Sequence, residues 1–389
     1  MSMIKDDLGR ALDRLGDELE RLSHRIHDNP ELGYQEVKAA GWLGEFLTAQ
    51  GFKVERGVAG VETAFRATIE TGAGPTIAIL CEYDALPGIG HACGHNVIAA
   101  AGAGAGAGLA AVRDRLPRGR IHVIGTPAEE GGGGKVRLIR GGVFQDVDAA
   151  MMAHGWDRWI LHQDLLGIVR VGFEFSGKAA HASADPWEGV NALDAVIQTF
   201  NNVSMLRQQV RPACRIHGIV TQGGSAPNII PEFAAASFYV RAPQLDEMWA
   251  LHKRVVACAE GAARATGATL KVVEHDNAYD PMRRNQTLLD AFRTNLGQLG
   301  IDDTPEVSDR LGSSDVGNVS QVVPTIQPLM KIAPDGTPIH SRAFEAAAAS
   351  PLARQGMLAA AKAMAMTALD LLADPNLVAR ARHEFQGAR

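Results

Sequence analysis

The chain has 389 residues, of which 46% are apolar and 5% aromatic, as is typical of a globular protein with an aliphatic core. Its 38 basic and 44 acidic residues give a formal net charge of −6. This balance excludes the basic face of a nucleic-acid-binding protein, and no run of Lys and Arg is long enough for a membrane-surface patch. The length predicts about two or three domains.

The N-terminal segment predicts a packed helix and not a secretory signal, because its first residues are polar and acidic. Apolar residues recur there at spacings of three and four, the pattern of an amphipathic helix: Leu8, Leu12, Leu15, Leu19, Leu22 and Ile26. No segment has the roughly 18 uninterrupted apolar residues of a membrane span. The four cysteines form no disulfide framework in a chain of this length. We therefore expect a reducing, cytoplasmic location.

The first part of the chain alternates predicted helices and strands. A helical stretch over residues 36–50 is ended by Gly51, and apolar runs follow at residues 65–69, 76–80, 121–124 and 149–153. The last three runs lead into an acidic segment with a His/Cys loop, into Glu129-Glu130 and into His154. Ligands of open α/β sheets bind beyond the carboxyl ends of the strands. The pattern therefore predicts a site at one edge of a sheet.

Two glycine-rich segments match nucleotide-binding loops only in part. Residues 99–111 alternate Ala and Gly, but no strand directly precedes them, so we interpret them as a buried helix that allows close packing. The glycines of residues 131–134 precede Lys135, but Val136 stands where a phosphate loop requires Ser or Thr. We interpret this second segment as a flexible loop that shapes the site.

From about residue 167 the pattern changes to that of a smaller α+β unit. Its predicted strands cover residues 168–171, 173–175, 216–220 and 236–240, and its predicted helices cover residues 191–209 and 245–266. Candidate ligands are sparse there and resume at His340, which indicates an inserted domain. We predict a catalytic domain over residues 1–166 and 279–389, interrupted by an inserted domain over residues 167–278. The last helix is predicted over residues 355–372.

The richest group of potential ligands lies between His91 and Asn96, where a thiolate and two imidazoles fall within five residues. Thiolate and neutral imidazole bind zinc and its first-row neighbours. Two metal ions about 3.5–4 Å apart need a bridging ligand and one or two further ligands each. A suitable set is Cys93, His95, Glu130, His154 and His340. Glu129 then remains beside the metals as a general base for water, which predicts a hydrolase.

Each of these residues also has an ordinary explanation when it is taken alone. An acidic pair favours a helix N-terminus, and a single His is commonly a satisfied core residue. Two other classes of protein stay open at this point. One is an amidase in which Cys93 is the nucleophile and His95 or His91 the base, which leaves Glu129 and His154 unexplained. The other is a non-catalytic protein that binds a ligand or a partner.

Eight motifs along the chain resemble the M20 metallopeptidase family and occur in the order of that family. They are HACGHN, GTPAEEGGGGK, MMAHG, SGKAAHAS, APNIIPE, YVRAP, SSDVGNVS and GTPIHS. More narrowly, they resemble its subfamily D amidohydrolases, the branch of aminoacylase-1-like proteins, aminobenzoyl-glutamate hydrolases and auxin-conjugate hydrolases. Asn96 stands where auxin-conjugate hydrolases carry Asp, which favours the aminoacylase-1-like branch.

The resemblance implies an α/β fold. A zinc-exopeptidase-like catalytic domain, with a mixed sheet flanked by helices, would be interrupted by a smaller α+β lid that also forms a homodimer interface. It implies two zinc or manganese ions in each protomer, and a thiolate ligand favours zinc. The family's ligands fall on Cys93, His95, Glu130, His154 and His340.

The resemblance also implies roles for residues that do not bind metal. Glu129 would be the general base, and His181 would polarise the scissile carbonyl, commonly from the other protomer. Asn228 and Arg241 match positions that contact a substrate carboxylate. The predicted function is hydrolysis, by metal-activated water, of the amide bond of an N-acyl or N-aroyl amino acid or a dipeptide, resembling aminobenzoyl-glutamate or a β-alanyl dipeptide. The alternative within the family is another C–N bond, that of an aryl amine or a carbamate.

Overall fold

The computed structural model describes residues 1–275, 277–305 and 311–387. Among these residues the helices are α1 (Ser2–His27), α2 (Val37–Ala49), α3 (His95–Ala110), α4 (Gly134–Arg140), α5 (Ala192–Leu206), α6 (Leu245–Thr266), α7 (Gln286–Gln298), α8 (Val316–Val322), α9 (Arg342–Ala347), α10 (Pro351–Ala373) and α11 (Pro375–Gly387). Short 3₁₀ turns cover Val58–Gly60, Arg113–Arg115, Pro186–Glu188 and Arg207–Gln209.

The strands are β1 (Lys53–Arg56), β2 (Phe65–Glu70), β3 (Thr76–Cys81), β4 (Arg120–Gly125), β5 (Ala149–Met151), β6 (His154–Trp156), β7 (Gly167–Ser176), β8 (Arg215–Gln222), β9 (Phe233–Ala242), β10 (Thr269–Glu274), β11 (Thr325–Ile326) and β12 (Leu329–Lys331). The chain divides into two compact units. The first comprises Met1–Asp164 with Met282–Arg389, and the second comprises Leu165–Pro281. The first unit is therefore built from two separate parts of the chain.

A six-stranded mixed sheet, in the order β1-β2-β4-β3-β5-β11, forms the centre of the first unit. The β1–β2 and β2–β4 pairs are antiparallel, whereas β4, β3, β5 and β11 run parallel. Every residue of β3 is buried, as expected for a strand covered on both faces. Strands β6 and β12 form a separate parallel pair. The mixed sheet and its helices confirm the predicted fold class.

The buried helix predicted from the Ala/Gly-rich segment is confirmed as α3. It packs against β3 and β4 on the sheet and against α1 and α10. A Cβ atom at Gly102 would lie 2.6 Å from Sγ of Cys81, and one at Gly106 would lie 2.5 Å from a methyl group of Val123. On the helix side, a Cβ atom at Gly104 would lie 2.9 Å from a methyl group of Leu19. The glycines therefore allow the close approach of neighbours on both sides of α3.

Helix α10 is long and apolar enough to cross a membrane, but 72% of its most apolar 18-residue segment is buried inside the fold. It packs against α1, α3 and α7, and it is a core helix of the first unit. The helix predicted over residues 355–372 corresponds to α10, which begins four residues earlier, and the prediction that it is the last helix is wrong because α11 follows it. Asp374 adopts an extended backbone after α10, and α11 begins at Pro375, which has no N–H to continue the preceding helix.

The second unit contains a four-stranded antiparallel sheet in the order β10-β7-β9-β8, against which α5 and α6 pack. Burial alternates along β7 and β9, so one face of the sheet forms a core that includes Phe173 and Phe238. The two runs predicted at residues 168–171 and 173–175 form one strand, because Gly172 pairs with both Ser237 and Val273. Strand β10 was not predicted from the sequence.

Candidate metal centre

Cys93 and His95 lie on either side of Gly94, at the start of α3. Gly94 has φ +78°, a left-handed conformation that glycine adopts at no steric cost. A Cβ atom there would lie 2.6 Å from Cδ1 of Ile332. The backbone amide of His340 donates to the carbonyl of Ala92 at 2.9 Å, which fixes the C-terminal part of the unit against this turn.

The thiol and two imidazoles predicted as ligands converge. Sγ of Cys93 lies 3.6 Å from Nε2 of His154. One ligand atom from each of Cys93, His95 and His154 lies within 4.8 Å of the other two. All three residues are buried. A thiol and two imidazoles in this arrangement suit zinc or a neighbouring transition metal.

A second group shares Cys93 with the first. Ligand atoms of Cys93, Glu130 and His340 also lie within 4.8 Å of one another, and so do those of His95, Glu129 and Glu130. Oε1 of Glu130 is 3.5 Å from Nε2 of His340 and 4.0 Å from Nε2 of His95. The structure thus brings together the five predicted metal ligands and the predicted base.

Hydrogen bonds orient the two buried imidazoles. Nδ1 of His95 faces two oxygens of Asp84, the carbonyl at 2.8 Å and Oδ1 at 3.1 Å. Nδ1 of His154 faces the carbonyl of Gly155 at 2.9 Å. Because oxygens accept, we assign the proton of each ring to Nδ1, which leaves the lone pair on Nε2. Metal-binding histidines have the same arrangement: one ring nitrogen binds the metal, and the other donates its N–H to a carboxylate or a carbonyl.

Two buried atoms at the centre of the group lack a hydrogen-bond partner among the described residues, Nε2 of His95 and Oε1 of Glu130. A buried polar atom without a partner costs free energy and is rare in native proteins. A divalent cation bound by both atoms would remove that cost. The donor set and its unsatisfied atoms therefore fit a metal centre.

Two residues at the site have a left-handed backbone without being glycine, Ala128 with φ +59° and His340 with φ +60°. Such conformations cost on the order of 1–3 kcal/mol each and cluster at functional sites. The amide of Ala128 donates to Oε1 of the buried Glu36 at 2.8 Å, and Tyr34 Oη donates to the carbonyl of Gly132 at 2.6 Å. These contacts hold the strained turn that carries Glu129 and Glu130.

The environments of the two adjacent glutamates differ. Burial raises the pKa of Glu129 well above its usual range, and the carboxylates of Glu82 and Glu130 act in the same direction. Burial acts on Glu130 too, but the imidazoles of His340 and His95 bring its pKa below the usual value. A carboxyl with a raised pKa suits proton transfer near neutrality, whereas an ionised one suits metal binding.

The buried thiol of Cys93 does not favour the alternative of a cysteine nucleophile. Burial raises the pKa of Cys93 well above its usual value, and the nearby Glu130 adds to this effect. Nucleophilic cysteines need a lowered pKa. A bound metal ion, in contrast, deprotonates a coordinating thiol outright.

Sequence reasoning missed a buried ion cluster beside these ligands. Nζ of Lys135 lies 2.5 Å from Oε1 of Glu82 and 2.6 Å from Oδ1 of Asp315, and all three side chains are fully buried. The interpretation of Lys135 as part of a flexible loop is wrong, because Gly134 and Lys135 begin α4. Two features of the sequence could have indicated this cluster. Lys135 follows four glycines at the start of a helix, and Glu82 directly follows a buried strand.

The remaining predicted residues belong to the second unit. His181 is exposed, and its Nδ1 accepts from the amides of Ser183 and Ala184 at 3.3 and 3.2 Å, so we assign its proton to Nε2. The carbonyl of Asn228 accepts from the amide of Ala182 at 3.0 Å, which brings residues 181 and 228 close together. Arg241 lies on β9, where its Nε is 3.3 Å from Nε2 of His217.

Comparison with known proteins identifies the family. Residues 78–368 match the peptidase family M20/M25/M40, and the chain belongs to this family of hydrolases. It is 40% identical to the Xaa-Arg dipeptidase of Mus musculus, over 99% of this chain and 93% of that protein. It is 30% identical to one of the component chains of the p-aminobenzoyl-glutamate hydrolase of Escherichia coli (strain K12), over 94% of this chain and 91% of that protein.

Solved structures share the fold of this chain. The aminobenzoyl-glutamate utilization protein from Klebsiella pneumoniae aligns with a TM-score of 0.76 at 20% identity, over 93% of this chain and 98% of that one. A dinuclear metal binding peptidase of the M20 family from Bacillus subtilis aligns with a TM-score of 0.72 at 22% identity, over 93% and 99%. The predicted family is confirmed, and the protein is an M20 hydrolase that acts on the C–N amide bonds of aminoacyl compounds.

Proposed function

We propose that this protein is a two-metal dipeptidase whose substrates are dipeptides with a basic C-terminal residue. The geometric observation that carries the proposal is the pair of ligand groups sharing Cys93, one with His95 and His154 and the other with Glu130 and His340. The 40% identity to an Xaa-Arg dipeptidase over nearly the whole chain supports the substrate class. An aminobenzoyl-glutamate-like amide is the second candidate, favoured by the 30% identity to the bacterial hydrolase.

Zinc or manganese ions, when bound, lower the pKa of water and polarise the substrate carbonyl. Glu129 then acts as the general base: its carboxylate accepts a proton from the attacking water and passes it to the leaving amine. The burial that raises its pKa suits both transfers, because the group must gain and lose a proton in one turnover. Glu130 stays ionised beside His340, and its carboxylate would be a metal ligand.

The second unit supplies substrate contacts in this proposal. His181 carries its ring proton on Nε2, since its Nδ1 accepts two backbone amides, so Nε2 can donate to the oxygen that becomes negative during attack. Arg241 and Asn228 would hold the C-terminal carboxylate of the dipeptide, for which a planar guanidinium is well shaped. A homodimer formed through the second unit and a cytoplasmic location are further parts of the proposal.

A substrate panel with a base variant tests this function. Purified protein is given an Xaa-Arg dipeptide, a β-alanyl dipeptide, p-aminobenzoyl-glutamate and an N-acetyl amino acid, each with added Zn²⁺ or Mn²⁺. We expect fastest cleavage of the Xaa-Arg dipeptide. Glu129→Gln should lower kcat by about 10²–10⁴-fold, because a positioned base contributes that much, while its metal content stays unchanged.

The control is Glu62→Gln, the same chemical change at an exposed glutamate, which should keep wild-type kcat. Activity that survives complete chelation would contradict the metal mechanism and favour Cys93 as a nucleophile. If the protein binds two metal ions but cleaves no member of the panel, the substrate class is wrong and another C–N bond, such as that of an aryl amine or a carbamate, takes its place.

A further inference from the structure

Glu82 is a buried carboxylate that the predicted ligand set does not include. It directly follows β3 and has no exposed surface. One of its oxygens, Oε1, lies 2.5 Å from Nζ of Lys135. The other, Oε2, is buried and has no hydrogen-bond partner among residues 1–275, 277–305 and 311–387. A carboxylate oxygen in this position needs a proton donor or a cation, because desolvation without either is costly.

The atom that faces this oxygen is also an acceptor. Oε2 of Glu82 lies 3.6 Å from Nε2 of His95, which is the acceptor nitrogen of the neutral ring because Nδ1 faces two oxygens of Asp84. Oε1 of Glu130 lies 4.0 Å from the same nitrogen. Over the described part of the chain none of these three buried atoms has a hydrogen-bond partner. In the neutral form of His95, which is the form that binds a metal ion, three lone pairs therefore point toward one another.

Separations of 3.6 and 4.0 Å are too long for a shared proton, since hydrogen bonds of this type span about 2.5–3.2 Å. They are the separations expected of atoms that bind one ion, because ligand atoms each about 2.0–2.2 Å from an ion lie roughly 3–4 Å apart. We infer that Glu82 is an additional metal ligand, which binds through Oε2 the same ion as His95. This inference rests on the two-metal site proposed above.

Lys135 explains why Glu82 and Asp315 differ although both are buried carboxylates. Both oxygens of Asp315 accept from Lys135, Oδ1 from Nζ at 2.6 Å and Oδ2 from the backbone amide at 3.0 Å. Glu82 shares the same ammonium through one oxygen only. The lysine thus satisfies Asp315 fully and holds Glu82 with its second oxygen directed at His95. Asp315 is accordingly a matched control.

Metal titration tests the inference independently of catalysis. Metal-free wild type, Glu82→Gln and Asp315→Asn are titrated with Zn²⁺ and Mn²⁺, with a chelating dye as competitor and the bound metal counted by mass spectrometry. We expect the wild-type chain to bind two ions. One of the two should bind Glu82→Gln at least about tenfold more weakly, because substitutions around a metal site typically lower metal affinity by about 10–100-fold. Asp315→Asn should keep wild-type affinity for both ions.

Wild-type stoichiometry and affinity in Glu82→Gln would overturn the inference and leave the proposed function standing. A wild-type protein that binds no metal would overturn the proposed function itself. If Glu82→Gln does not fold, as judged by circular dichroism, Glu82→Asp takes its place because it keeps the charge on a shorter side chain. Its Co²⁺ complex should show visible absorption bands shifted from those of the wild type, and an unchanged cobalt spectrum would overturn the inference.

Discussion

The two units of this chain differ in where their charged side chains lie. The first buries Glu82, Lys135 and Asp315 with no exposed side-chain surface. The second builds its core from apolar side chains and keeps ion pairs such as Lys271–Glu174 at its surface, where the two side chains are 72% and 36% exposed. The first unit thus accepts a cost in folding free energy to assemble its site, whereas the core of the second is stabilised by ordinary apolar burial.

The largest difference in stability between the two units is expected when one lysine is removed from each. Lys135→Met leaves the buried carboxylates of Glu82 and Asp315 without their cation, which should lower the free energy of unfolding by about 3–5 kcal/mol. Lys271→Met removes an exposed pair and should cost at most about 1 kcal/mol. Chemical denaturation followed by circular dichroism measures both. Equal losses in the two variants would show that the buried cluster carries no special cost.

Two glycines with nearly the same φ angle, one in each unit, should differ in their tolerance of a side chain. Gly94 has φ +78° and Gly267, at the end of α6, has φ +77°. Alanine at either position should cost about 1–2 kcal/mol for the left-handed backbone. At Gly94 the added methyl group also meets Ile332 at 2.6 Å, whereas at Gly267 the nearest atom, on Val190, is 4.0 Å away.

Gly94→Ala should therefore lose roughly 1–3 kcal/mol more than Gly267→Ala, the cost of overpacking. It should also lose bound metal, because the turn sets the directions of Cys93 and His95. Unfolding curves and metal analysis of the two variants provide the measurement. Full metal content in Gly94→Ala would mean that the turn tolerates a Cβ atom without moving the ligands.

The smallest effect on stability is expected at the surface of the second unit. Ile219 on β8 is 66% exposed and Val220 is 47% exposed, so the strand presents apolar side chains to the solvent. Ile219→Glu should change the free energy of unfolding by no more than about 0.5 kcal/mol. If the proposed homodimer forms through this unit, the variant should be monomeric by light scattering, with Lys271→Met as a dimeric control. A variant that stays dimeric excludes β8 from the interface.

The sequence predicts those features of the site that depend on local pattern. Apolar runs show that β3, β4 and β5 are buried, and the polar residues after them mark one edge of the sheet. The pairing of Lys135 with Glu82 and Asp315 was not predictable in this way. These residues are 53 and 180 positions apart from the lysine, and their contact depends on how α4 and the start of α8 pack.

The elements missed by sequence analysis have a similar physical explanation. Strand β10 is a short, half-exposed edge strand whose pairing with β7 comes from tertiary packing and not from a strong apolar pattern. Helix α11 was not predicted, because only three of its residues are buried, Leu377, Val378 and Ala381, and its apolar pattern is correspondingly weak. Local periodicity thus predicts the existence of elements better than their partners or their ends.

The division of the site between two separate parts of the chain has a consequence for the order of synthesis. Cys93, His95, Glu130 and His154 leave the ribosome first, and His340 follows only after the whole second unit. At about 5–20 residues per second, translation from residue 154 to residue 340 takes on the order of ten to forty seconds. During that interval the nascent chain carries a half-built centre that still lacks its last imidazole. The ligand set can therefore be completed only after the C-terminal part of the first unit has been synthesised.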